Sequence, residues 1–193
     1  MNNNKLQHQR RSIRLNEYDY STPWWYYVTI CTFERKYLFG NIIKGKMVLN
    51  EFGKIVEEEW LRTKEIRNNV DLDYCVIMPN HLHGNIIING RGELNSPKEL
   101  NSTGNNEQGR IQYAPTNNKF NSPSQSLGAI IRGFKSVVTN RIRKLTGDTE
   151  LKIWQRNYYE HIIRNELDLH NIRRYIELNP LKWELDEYYK PVR

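Results

Sequence analysis

Two of the chain's five histidines lie one residue apart in the stretch YCVIMPNHLHGNIII, residues 74 to 88. In a strand, residues i and i+2 project from the same face, so His81 and His83 share one face and Leu82 points the other way. Their Cα atoms should then be roughly 6.5 Å apart, a spacing at which two imidazoles can bind one metal ion. Two histidines exposed by chance would show the same spacing. The apolar residue between them and the apolar flanks favour a metal pair. A His-x-His pair is still only two ligands, so other residues must complete the site.

The elements around this pair can be read from periodicity. WWYYVTICTFER, residues 24 to 35, is aromatic and β-branched and reads as a central strand. GKMVLN is a weaker candidate for a short strand or turn. Asn50 can cap a helix over EFGKIVEEEWLRTKEIRN, in which Phe52, Ile55, Val56, Trp60 and Ile66 recur at helical spacing. DLDYCVIMP and HLHGNIII are two further strands separated only by Pro79 and Asn80, as a hairpin or a kinked continuation. Leu127, Ile130, Ile131, Phe134, Val137, Val138 and Ile142 stripe a second helix. KIWQRNYYEHIIRN, residues 152 to 165, reads as a fourth strand with its turn. Asn165 can cap a last helix that must stop at Pro180. The order strand, helix, strand, strand, helix, strand, helix predicts an α+β fold of ferredoxin-like or RRM-like type. Its antiparallel sheet carries helices on one face and leaves the other as a working surface.

The 193 residues suggest one domain, placed at 22–185. A basic polar N-terminal tail (1–21) precedes it and a short C-terminal tail (186–193) follows. Residues 90–125, dominated by Asn, Ser, Gly and Pro without apolar period, read as a flexible insertion. The formal charge of +7 favours an anionic partner, with nucleic acid first. No apolar run approaches a membrane span, and the polar start lacks a secretory h-region. Cys31 and Cys75 lack metal or disulfide spacing and read as core thiols of a cytoplasmic protein.

The motif MPNHLHGNIII resembles the His-hydrophobic-His motif of the HUH single-strand endonucleases. IWQRNYYEHIIRNELDLHNIRRYIELNPLKW resembles the C-terminal half of the single-tyrosine transposases, most closely the REP-associated tyrosine transposases, and GAIIRGFKSVVTNRIRK resembles their preceding helix. The likeness spans roughly residues 22 to 185 outside the insertion. It implies a metal-dependent DNA-nicking and strand-transfer enzyme acting on single-stranded or hairpin DNA through a 5′-phosphotyrosine. Tyr175, in RRYIELNP, stands in register with the family nucleophile. Asn179 stands at the third protein metal ligand beside His81 and His83. The ion implied is Mg²⁺ or Mn²⁺, which two imidazoles and an amide suit better than structural zinc.

The spacing agrees with that assignment, because Tyr175 and Asn179 are i and i+4 and share a helix face. Leu169, Ile172 and Ile176 form a neighbouring stripe able to dock that helix on the sheet. No general base is apparent. Tyr158 and Tyr159 are rival tyrosines, read as packing or base-stacking residues, and His161 as structural. Arg132, Lys135, Arg141, Arg156 and Arg164 are candidates for contact with the DNA backbone. Two alternatives remain: a catalytically silent RRM-like nucleic-acid-binding module, or an HUH initiator of replication or conjugation. The expected state is a monomer or homodimer.

Overall fold

The computed structural model describes residues 18–90 and 125–189. The tail before residue 18 and nearly all of the polar insertion lie outside the described residues. Four strands form one antiparallel sheet: β1 (Trp25–Cys31), β4 (Val70–Met78), β5 (His81–Ile88) and β6 (Tyr159–Ile162), in the order β4-β5-β1-β6. Helices α1 (Glu51–Arg62) and α2 (Leu127–Thr146) cover one face, and α3 (Glu166–Leu178) packs on the other. The expected α+β, ferredoxin-like arrangement is therefore the one observed.

The elements begin where the side chains can cap them. Asn50 accepts from the Gly53 amide at the start of α1, and Asn165 accepts from the Asp168 amide at the start of α3. Ser126 does the same for α2. Helix α1 stops at Arg62, so Ile66, placed on its stripe from periodicity, is instead exposed beyond it. A small hairpin of β2 (Gly40–Ile43) and β3 (Lys46–Leu49) stands apart from the main sheet. Its two-residue turn puts Lys44 at φ 51° and Gly45 at φ 72°, which matches the twist of the flanking strands. The fourth strand is shorter than the stretch read for it, with Trp154 contributing only an isolated bridge to Thr32.

Tyr26, Val28 and Ile30 of β1 and Leu82, Ile86 and Ile88 of β5 face α1 and α2 in the main core. Trp60 and Phe134 meet there edge-on at 5.4 Å between ring centroids. Trp60 also packs against β5 at Gly84, where only a glycine fits: a Cβ there would run into the indole Cζ2. Every residue of β5 is buried, because α3 and the segment after it cover the second face. That second layer is small, with Leu169, Ile172 and Ile176 of α3 packed on Trp25, Tyr27, Val76 and Ile163. The docking stripe read from the sequence is the one used.

Candidate metal and tyrosine site

Pro79 and Asn80 form a tight hairpin turn that pairs Met78 with His81. The strand alternation then points His81, His83 and Asn85 toward α3, opposite Leu82. His83 lies across β1 from Thr29, and His81 across from Cys31. Both imidazoles are fully buried. Their Nε2 atoms are 2.9 Å apart. Two nitrogens each ~2.1 Å from one ion and at right angles would be about 3.0 Å apart, so the pair is spaced as adjacent ligands of an octahedral ion.

The far nitrogens are occupied by the fold. Asn80 spends its Nδ2 hydrogens on the carbonyls of Arg35 at 3.3 Å and Tyr188 at 2.8 Å. Its Oδ1 is thereby turned to His81 Nδ1 at 2.8 Å, which places the proton on Nδ1 and a lone pair on Nε2. His83 Nδ1 meets the Tyr27 hydroxyl at 2.7 Å and the Thr29 hydroxyl at 2.8 Å. Such outer partners orient metal-binding imidazoles. Burial holds both rings neutral: His83 is pushed down to about 3, and His81 well below its ordinary value by burial, His83 and Arg35.

Helix α3 brings Tyr175 to the same place. Its hydroxyl is 3.3 Å from His83 Nε2, and the ring centroids are 5.1 Å apart. One turn on, Asn179 is buried and donates from Nδ2 to Asp186 Oδ2 at 2.8 Å. Its Oδ1 is buried with no hydrogen-bond partner, a costly state for a carbonyl oxygen unless something else uses it. The chain then turns at Pro180. A 3₁₀ turn over Trp183–Leu185, anchored by buried Trp183 against Tyr37, delivers Asp186. Ligand atoms of His81, His83 and Asp186 all lie within 4.8 Å of one another.

His81, His83 and Asp186 offer two neutral imidazole nitrogens and a carboxylate, a donor set that suits a hard divalent ion. Asp186 and Tyr188 belong to a stretch read from the sequence as a tail. Tyr188 instead packs on His81 with centroids 4.6 Å apart. Nothing local in ELDEYY marks an acid that folds back onto a helix terminus. Tyr27 and Thr29 were half legible, since alternation in β1 puts them on one face, but the register against β5 had no sequence signal. The Tyr175 hydroxyl is pushed up to about 12 by burial, Asp186 and Glu187.

The remaining candidates scatter. Arg132, Arg156 and Arg164 are exposed. Lys135 gives its ammonium to the carbonyls of Gln155 and Asn157, at 3.0 Å each. Arg141 is not a free cation: it bridges the two helices of the main layer through Glu58 and Glu59, at 2.7 Å to each. Tyr158 packs against the main core, while Tyr159 is exposed on the tyrosine face beside Tyr27. His161 bonds Asp168 at 2.8 Å and ties β6 to the first turn of α3.

No protein-family model matches the chain. An uncharacterized protein of Haemophilus influenzae is 41% identical over 185 residues, covering 94% of each chain. The fold is similar to the solved structure of a REP-associated tyrosine transposase bound to a REP hairpin. That match has a TM-score of 0.53 and 16% identity, and covers 91% of this chain and 77% of the other.

Proposed function

We propose that this chain, which belongs to one family with the Haemophilus influenzae protein, is a tyrosine transposase that nicks and rejoins single-stranded or hairpin DNA. The observation that carries the reading is the meeting of Tyr175 with the histidine pair, at 3.3 Å from His83 Nε2, beside the unpartnered Oδ1 of Asn179. The HUH resemblance supports it independently, and the fold likeness to a transposase bound to a REP hairpin is consistent with it.

His81, His83, Asp186 and the Asn179 carbonyl would hold Mg²⁺ or Mn²⁺. Bound there, the ion would supply Lewis-acid polarisation of a phosphate oxygen. The Tyr175 Oη attacks phosphorus, forming a phosphotyrosine ester as the P–O3′ bond breaks and the strand leaves with a free 3′-OH. The tyrosine proton goes to Asp186, whose Oδ2 lies 3.5 Å from the hydroxyl, or through water to solvent, and the departing O3′ takes up a proton from solvent to leave as the 3′-OH. The ester retains the bond's free energy, so attack by a 3′-OH reverses the step and joins strands without ATP. Exposed Tyr159 offers a ring for stacking a base beside the reacting phosphate.

The alternative is a binding-only module, in which the same face would hold DNA without cutting it. A nicking assay on labelled hairpin oligonucleotides with Mn²⁺ or Mg²⁺ separates the two. The transposase reading expects an SDS-resistant protein–DNA adduct that disappears in Tyr175→Phe and in His81→Ala/His83→Ala. DNA binding without an adduct, across a diverse oligonucleotide pool, establishes the binding module instead. An adduct that survives Tyr175→Phe moves the nucleophile to Tyr158 or Tyr159.

A further inference from the structure

Strand β4 breaks register against β5 between Leu72 and Cys75, and Asp73 lies in that irregularity. Its carboxylate is mostly buried and receives three side-chain donors. Arg173 of α3 gives Nε and Nη2 at 2.8 Å each, a two-pronged grip on both oxygens. Asn85 of β5 gives Nδ2 at 3.1 Å. The guanidinium is further enclosed by the rings of Tyr74 at 5.3 Å and Trp25 at 5.9 Å. Burial works against the charge on Asp73, but the bonds from Arg173 and Asn85 outweigh it and hold the carboxyl below its ordinary range.

The positions of the three residues give this network its meaning. Asn85 is two residues beyond His83 on the same face of β5, and Arg173 is two residues before Tyr175 on α3. One carboxylate is thus bonded both to the strand that presents the histidines and to the helix that presents the tyrosine. The apolar seam beneath α3 is short, and its contacts, Leu169, Ile172 and Ile176 on Trp25, Tyr27, Val76 and Ile163, are non-directional. The bonds at either end of α3, His161 to Asp168 and Asn179 to Asp186, go to β6 and to the chain beyond the helix. Neither reaches the histidine strand.

We propose that Asp73 and Arg173, with Asn85, form a positioning clamp that sets the Tyr175 hydroxyl against the histidine pair. They act through the elements they join, fixing the register of the nucleophile's helix against the histidine strand. The inference of an effect on the reaction rests on the proposed tyrosine chemistry, whereas the geometric claim does not. A displacement of about 1 Å at a reacting atom can lower a rate about 100-fold.

Two variants of the full chain test this. Arg173→Lys keeps the charge and loses the planar fork, and Arg173→Met keeps the stem alone. The readout is the nuclear Overhauser effect between the Tyr175 and His83 rings, 5.1 Å apart in the wild type, recorded with chelator present. The clamp predicts that this effect weakens in both variants while the amide spectrum remains folded. It also predicts that adduct formation at saturating hairpin DNA falls about 100-fold, with DNA affinity within about twofold. If either variant unfolds, the other decides. An unchanged ring-to-ring effect in a folded variant, even with a lowered melting temperature, overturns the proposal and leaves the pair as a stabilising contact only. Absence of any adduct in the wild type would defeat the functional reading while the ring-to-ring comparison still judged the clamp.

Discussion

Acidification should loosen this fold through His83 before its carboxylates dominate. The imidazole is 1% exposed, and burial pushes it down to about 3 from the ordinary value near 6.5. Below pH 6.5 the unfolded chain takes up a proton that the folded chain refuses. Stability from this group is therefore complete above about 6.5 and is lost as pH falls toward the folded value. Each proton of difference is worth ~1.4 kcal/mol per pH unit, so between pH 6.5 and 4.5 His83 alone should remove on the order of 2 kcal/mol. His81 acts in the same direction. The assay is urea denaturation at half-unit pH steps with chelator present, on wild type and His83→Gln. Glutamine will lower absolute stability, so the comparison is of slopes, in which the carboxylates cancel. The wild-type slope should exceed that of the variant by about 1 kcal/mol per pH unit between 6 and 4.5. Parallel slopes would mean that the folded protein protonates His83 freely, and would refute its dry, neutral state.

Three further outcomes follow from the same geometry. Asn179→Ala removes the unpartnered Oδ1 and should weaken Mn²⁺ binding about 10-fold or more by calorimetry; unchanged affinity would leave ligation to His81, His83 and Asp186. Tyr27→Phe with Thr29→Val strips both hydroxyls from His83 Nδ1 and should lower Mn²⁺ affinity about 10–100-fold, and retention of full affinity would show that the ring needs no outer partner. Gly84→Ala forces a methyl into the Trp60 ring and should cost about 1–3 kcal/mol in urea denaturation with a blue or red shift of tryptophan emission.

What could be read from the chain alone was local. The caps at Asn50 and Asn165 and the stripe of Leu169, Ile172 and Ile176 follow from short-range chemistry, and all three appear where expected. The shared face of His81 and His83 follows from strand alternation. Asp186 was missed because it reaches the site only after the chain reverses at Pro180, and no periodicity records a reversal. The bonds of Asn80 were missed for a related reason: a turn residue reads as punctuation, yet its amide links two distant carbonyls to one imidazole. Arg141 shows a gap of another kind, since its positive charge is visible in the sequence and its two carboxylate partners, a helix away, are not.

The irregularity in β4 also bears on how these molecules behave in a crowd. Strand β4 is an outermost strand, and an outermost strand offers its unpaired amides and carbonyls to any neighbouring chain. A clean nine-residue edge would invite a second sheet to zip onto it. The break in register interrupts that edge, and Asp71 places negative charge along it. Straightening β4, for instance by deleting a bulge residue, would thus threaten solubility as well as geometry, because a regular edge is a ready template for sheet-to-sheet pairing.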